Sequence, residues 1–123
     1  ALPICAALLD FQREFAKNPP NRGKGAILDG RDIGTVVCPD AEIKLFIFAS
    51  VEVRAKRRYK ELQYRGVKAI YARVLDDMEK RDARDTERDA SPLVAAGDSF
   101  KLDTNNLDAD KALAAALDYI QNK

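Results

Sequence analysis

The run IKLFIFA at residues 43–49 limits the fold more than any other stretch of the sequence. It is mostly apolar, is introduced by the turn CPDAE, and leads directly into Ser50, which fits a helix N-cap with Glu52 in the first turn. FKLDT at 100–104 reads as another strand, and the short glycine-bounded AILD at 26–29 as a buried one. Helical patterns lie between them. Strands separated by helices predict parallel βαβ units, an α/β fold with a parallel sheet flanked by helices. In such sheets ligands sit beyond the carboxyl ends of the strands.

The helices are read from periodicity and caps. Ile4, Ala7, Leu8, Phe11 and Phe15 share one face of a helix over 4–16, which ends before the basic loop KNPPNRGKG. The helix opened by Ser50 runs to about Gly66, a suitable C′ residue. Another spans about 68–88, with Ile70, Val74, Leu75 and Met78 as its core stripe. SPLVAAGDS reads as a loop or short turn, and ADKALAAALDYIQNK as a final helix capped by Asp108 or Asn106.

Composition narrows the class. At 123 residues the chain is one domain or a piece of one, and 46% apolar with 33% charged residues suits a soluble globular chain. The net charge of +1 argues against a general polyanion binder. No apolar run is long enough to span a bilayer, and no basic-start signal peptide is visible. Cys5 and Cys38 fit no metal or redox spacing, lie among apolar neighbours and read as buried thiols of a reducing, cytoplasmic protein. With no histidine in the sequence, imidazole catalysis and histidine-ligated metals are excluded for these residues.

Three segments carry chemistry. DGRDIGT at 29–35 sets two carboxylates around an arginine at the carboxyl end of the first predicted strand. RAKRRYK at 54–60 holds five basic side chains in seven residues, and Arg54, Arg57 and Arg58 cluster on a helix. Their mutual repulsion calls for an anion, or else for salt bridges from a solvated basic face to other segments. In RDARDTER at 81–88, Arg81, Arg84, Asp85 and Arg88 fall on one helical face, while Asp82, Thr86 and Asp89 face elsewhere. Asp85 can hold two arginines that still grip phosphate oxygens, or accept from a ribose hydroxyl; the plainer alternative is an exposed lattice of i,i+4 pairs. Phosphoryl transfer needs this kind of charge neutralisation, and a mobile helical pair could close over the phosphates and exclude water. The phosphate-cradling pattern G-x-x-x-x-G-K-[ST] does not occur in these residues.

DGRDIGTVVCPDAEIKLFIFAS, followed by RAKRR, ELQYRG and RDARDTERDASPLV, closely resembles bacterial cytidylate kinases, the (d)CMP kinases among the P-loop nucleoside monophosphate kinases. The resemblance covers almost all of residues 6–122. It implies a P-loop NTPase fold, incomplete here. Residues 1–123 would be the C-terminal part of the kinase core, with a lid helical pair at about 51–88 and without the P-loop segment and CMP-binding insert. It also implies transfer of the ATP γ-phosphoryl to CMP or dCMP with Mg²⁺, and inactivity of this stretch alone. By resemblance, Arg31 grips the CMP phosphate, Asp32 reads the cytosine edge, and Asp29 lies near the metal and phosphates without a firm metal-ligand role. Arg57 contacts ATP, with Arg54 and Arg58 as neighbours. Arg81 and Asp85 attend the CMP ribose, Arg88 is a second phosphate clamp, and Arg84 has no definite role. Where the family usually has an arginine that helps read cytosine, this sequence aligns Cys5. A monomer is implied for the intact protein, and an exposed sheet edge that invites dimerisation or strand exchange for the fragment. The competing expectation is a non-catalytic nucleic-acid binder using the basic helices, against which the net charge and the interleaved aspartates weigh.

Overall fold

The computed structural model describes residues 3–87 and 93–123. Its elements are α1 (Pro3–Lys17), a 3₁₀ turn at Pro20–Arg22, a single π-helical turn at Ile33–Val37, β1 (Leu45–Phe48), α2 (Val51–Tyr64), α3 (Tyr71–Thr86), β2 (Phe100–Asp103) and α4 (Ala109–Gln121). The two strands are parallel, in register from Leu45 opposite Phe100 to Phe48 opposite Asp103. The ladder is extended by Phe100 N–H to Lys44 O and Thr104 N–H to Phe48 O, both 2.9 Å. The helices α2 and α3 form the crossover between the strands and pack against each other.

The caps follow from the local sequence. Ser50 Oγ accepts from Val53 N–H at 3.3 Å, and Asp108 Oδ1 from Lys111 N–H at 2.8 Å, each meeting one of the donors a helix start leaves unpaired. At the end of α2, Gly66 adopts φ +73°. Gly66 N–H then reaches Gln63 O at 3.0 Å and Val67 N–H reaches Leu62 O at 2.9 Å, a Schellman closure that needs the left-handed residue. Two aromatic pairs join neighbouring elements. Phe100 stacks on Tyr119 of α4 with centroids 4.2 Å apart, and Tyr59 of α2 meets Tyr71 of α3 edge-on at 6.1 Å.

Several expectations are corrected. AILD at 26–29 forms no strand, and Ile27 is 96% exposed. A strand exists only where a neighbour takes its backbone groups, and among the described residues none does so. The second crossover helix starts at Tyr71 rather than 68, which leaves Ile70 outside the core stripe and exposed, while Val74, Leu75 and Met78 are half-buried. Cys5 is exposed and Cys38 half-buried, so neither is the buried thiol expected. Cys5 lies beside the apolar face of α1, and that face stands open, with Ile4, Leu8 and Phe11 all more than half exposed. Among the described residues the buried apolar side chains are Val37, Ala55 and Leu102, and no helix is long and apolar enough to cross a membrane.

Candidate active site

The chain leaves AILD through Gly30, Arg31 and Asp32 and enters the π-turn. A Cβ at Gly30 would lie 2.9 Å from Ile33 Cγ1, so the glycine lets Ile33 fold back against the loop that carries Arg31. The turn is closed by wide i→i−5 bonds, Val37 N–H to Asp32 O at 3.2 Å and Cys38 N–H to Ile33 O at 2.7 Å. Val37 is buried beneath it. On one side, Arg13 of α1 donates Nε to Val37 O at 3.1 Å and Nη2 to Val36 O at 3.0 Å. On the other, the buried Lys44 packs its chain under Gly34 and donates Nζ to Pro39 O and, at 3.0 Å, to Asp98 Oδ1. That ammonium holds the Asp98 carboxyl below its usual range.

The loop meets α3 through an ion pair. Arg31 Nε lies 2.5 Å from Asp85 Oδ2, and the Asp85 side chain is only 15% exposed. The segments 29–35 and 81–88 therefore touch. Asp85 is presented there because α3 is fastened to α2 one turn earlier. Arg54 Nη1 and Nη2 bind Asp82 Oδ1 and Oδ2 at 3.0 and 2.5 Å, while Arg54 Nε donates to Ala49 O at 2.9 Å. This two-point pair raises Arg54 above its ordinary value. It holds the Asp82 carboxyl below its own, and the charges of Arg81 and Arg31 add to the effect.

The remaining candidates are more scattered. Arg57 is turned toward the end of β2. Its Nη1 donates to Thr104 Oγ1 at 3.2 Å, and its Nη2 to Thr104 O and, at 3.2 Å, to Leu107 O. Arg58 pairs with Glu61 at 2.9 Å within its own helix. Arg84 Nε donates back to Lys80 O at 3.3 Å. Asp29 is exposed and Asp32 half-buried at the head of the π-turn; among the described residues neither has an ion pair. Arg81 is exposed beside Asp82. Arg88, Asp89 and the residues on to Pro92, including the start of SPLVAAGDS, lie outside the described residues. Arg54, Arg57 and Arg58 thus do not act as one cluster: two are tied to other segments, the arrangement expected of a basic face that bridges outward.

Two residues were not singled out by their pattern. Helical spacing sets Asp82 away from the arginine face, yet it is the carboxylate that docks α3. The available signal was its 28-residue separation from Arg54 across an inter-helix turn, which brings antiparallel neighbours together. Arg13 hid in a helix read for its apolar stripe. It lies with the half-buried Leu9, Gln12 and Ala16 on the other face, at helical spacing.

The family model described as cytidylate kinase matches residues 3–122. The chain belongs to the cytidylate kinase family. Among curated relatives of the family, the cytidylate kinase of Paramagnetospirillum magneticum is 65% identical over 98% of this chain and 56% of that protein. The cytidylate kinase of Rhodospirillum rubrum is 54% identical over 100% and 58%, and that of Methylocella silvestris 53% over 99% and 55%. The chain spans about half the length of these family members.

Proposed function

We propose that the protein carrying this chain is a (d)CMP kinase, transferring the γ-phosphoryl of ATP to CMP or dCMP to give ADP and CDP or dCDP. The observation that carries the reading is the Arg31–Asp85 contact, which joins DGRDIGT and RDARDTER at one place. Because Asp85 engages Nε, the Nη edge of Arg31 is left to face two oxygens of the CMP phosphate. Arg88 is assigned as the second phosphate clamp. Asp32 accepts from the cytosine amine, and Arg81 and Asp85 attend the ribose. Arg54, Arg57 and Arg58 serve the ATP phosphates. Arg58 is bound only within its own helix, whereas Arg54 and Arg57 reach ATP by exchanging Asp82, Thr104 and Leu107 for phosphate oxygens. In this reading α2 and α3 are the lid. Such clamps lower the barrier by neutralising charge on the group in flight.

Among the described residues no three carboxylates or thiols converge to hold a metal. Mg²⁺ therefore enters this reading with the ATP phosphates; Asp29 is assigned a place near it, and no step depends on it. The decisive experiment is CMP-dependent ADP production by the full-length protein, beside titrations with CMP and a short RNA at two salt concentrations. Turnover with saturable CMP binding supports the kinase. Absent turnover, together with steeply salt-dependent RNA affinity indifferent to CMP, replaces it with the nucleic-acid binder.

A further inference from the structure

We infer that Arg13 is a positioning residue for the nucleotide monophosphate loop: it sets where Arg31 and Asp32 stand without touching substrate. The inference rests on the kinase reading for its substrate but not for its geometry. The last carbonyls of any helical turn have no partner inside the turn, and together they concentrate partial negative charge. Here the carbonyls of Val36 and Val37 are in that position, at the end of the π-turn that begins directly after Asp32. Arg13 reaches them from α1, 23 and 24 residues away, with two nitrogens of one planar group at 3.0 and 3.1 Å. A guanidinium can span two adjacent carbonyls at fixed spacing, and an ammonium on a flexible stem cannot do so with the same directionality.

The consequence for Arg31 is geometric. The π-turn is anchored by its own buried Val37 side chain, by the Lys44 chain packed against Gly34, and by Arg13 at the Val36 and Val37 carbonyls. With its far end fixed, the near end holds Asp32 and Arg31 in place, and Arg31 is bound to Asp85 at 2.5 Å. Without Arg13 the turn keeps its own i→i−5 bonds but loses its tie to α1. The loop then samples positions in which Arg31 and Asp32 no longer present together.

The test uses the full-length protein with Arg13→Lys and Arg13→Gln. Steady-state kinetics are expected to show KM for CMP raised roughly tenfold in both variants, with KM for ATP within about twofold of wild type, because a lost positioning contact acts through one substrate. Amide exchange without nucleotide is expected to accelerate at Val36, Val37 and Cys38 and to stay unchanged in α2 and α4. Equal rises in both KM values, or unchanged exchange at those three amides, overturn the inference. A wild-type protein inactive with CMP sinks the functional reading instead, and the exchange arm still decides whether Arg13 holds the loop. If Arg13→Gln fails to fold, Arg13→Lys carries both measurements, since it keeps the charge and most of the stem.

Discussion

The helices α1 and α3 are nearly the same length, 15 and 16 residues, and both are amphipathic, yet they are attached in unequal ways. On α1 the apolar stripe faces outward, with Ile4 73%, Leu8 56% and Phe11 67% exposed, and the helix is tethered to the candidate site by one guanidinium, Arg13. On α3 the half-buried Val74, Leu75 and Met78 lie inward, and two successive turns carry carboxylates bound to other segments, Asp82 to Arg54 and Asp85 to Arg31. Among the described residues, charged side chains join the site segments: Arg13 to the Val36 and Val37 carbonyls, Asp82 to Arg54 and Asp85 to Arg31. Among the described residues the buried apolar side chains are Val37 in the π-turn, Ala55 on α2 and Leu102 on β2. Exposed stripes of this kind are sticky surfaces.

Loss of the Arg31–Asp85 contact should have the largest effect. Arg31→Ala in the full-length protein is expected to lower kcat/KM for CMP by roughly 10²–10³-fold, as for loss of one preorganised donor; steady-state assays at saturating ATP read it, and a smaller than tenfold effect contradicts the assignment. Next is the small core. Leu102→Ala on β2 should cost about 2–3 kcal/mol in urea denaturation, since the neighbours can only partly close the space of a buried leucine. Gly66→Ala should cost about 1 kcal/mol through backbone conformation alone, because nothing lies within 4 Å of where its Cβ would be.

A pH series tests the tie between α2 and α3. The folded-state pKa of Asp82 is depressed, so its contribution is fully present above the ordinary aspartate value near 3.9 and is lost as pH falls through the lower folded value. Asp82→Asn is therefore expected to lower stability slightly at pH 6, by less than about 1 kcal/mol for so exposed a pair, and the gap should shrink below pH 4. A gap that widened on acidification would contradict the assignment. The smallest effect belongs to α1. Phe11→Ser should change the unfolding free energy of this chain by less than about 0.5 kcal/mol. The same variant should reduce concentration-dependent association of the 123-residue chain in sedimentation velocity, where the open stripe has its consequence.

What was legible in the sequence was local. Ser50 and Asp108 as caps, Gly66 as a left-handed terminator and the two strands at 45–48 and 100–103 all depend on a few adjacent residues, and each appears where its signal lay. The parallel pairing followed from the helices between the strands. AILD misled because its composition says what a strand needs on its faces but not whether a neighbour exists. The charged segments were partly legible: helical spacing placed Asp85 among arginines, but the arginine it grips comes from 54 residues earlier. Spacing on one helix fixes a face and leaves the partner open, which is why Asp82 was set aside and Arg54 was grouped with Arg57 and Arg58. Arg13 was illegible for the same reason, since its acceptors are backbone carbonyls that carry no sequence signature.

No large side chain among the described residues is fully hidden from water, and the buried apolar set is Val37, Ala55 and Leu102. Unfolding such a chain hydrates little new hydrocarbon, so its heat-capacity increment should be small for 123 residues. A shallow stability curve follows, with little curvature toward the cold.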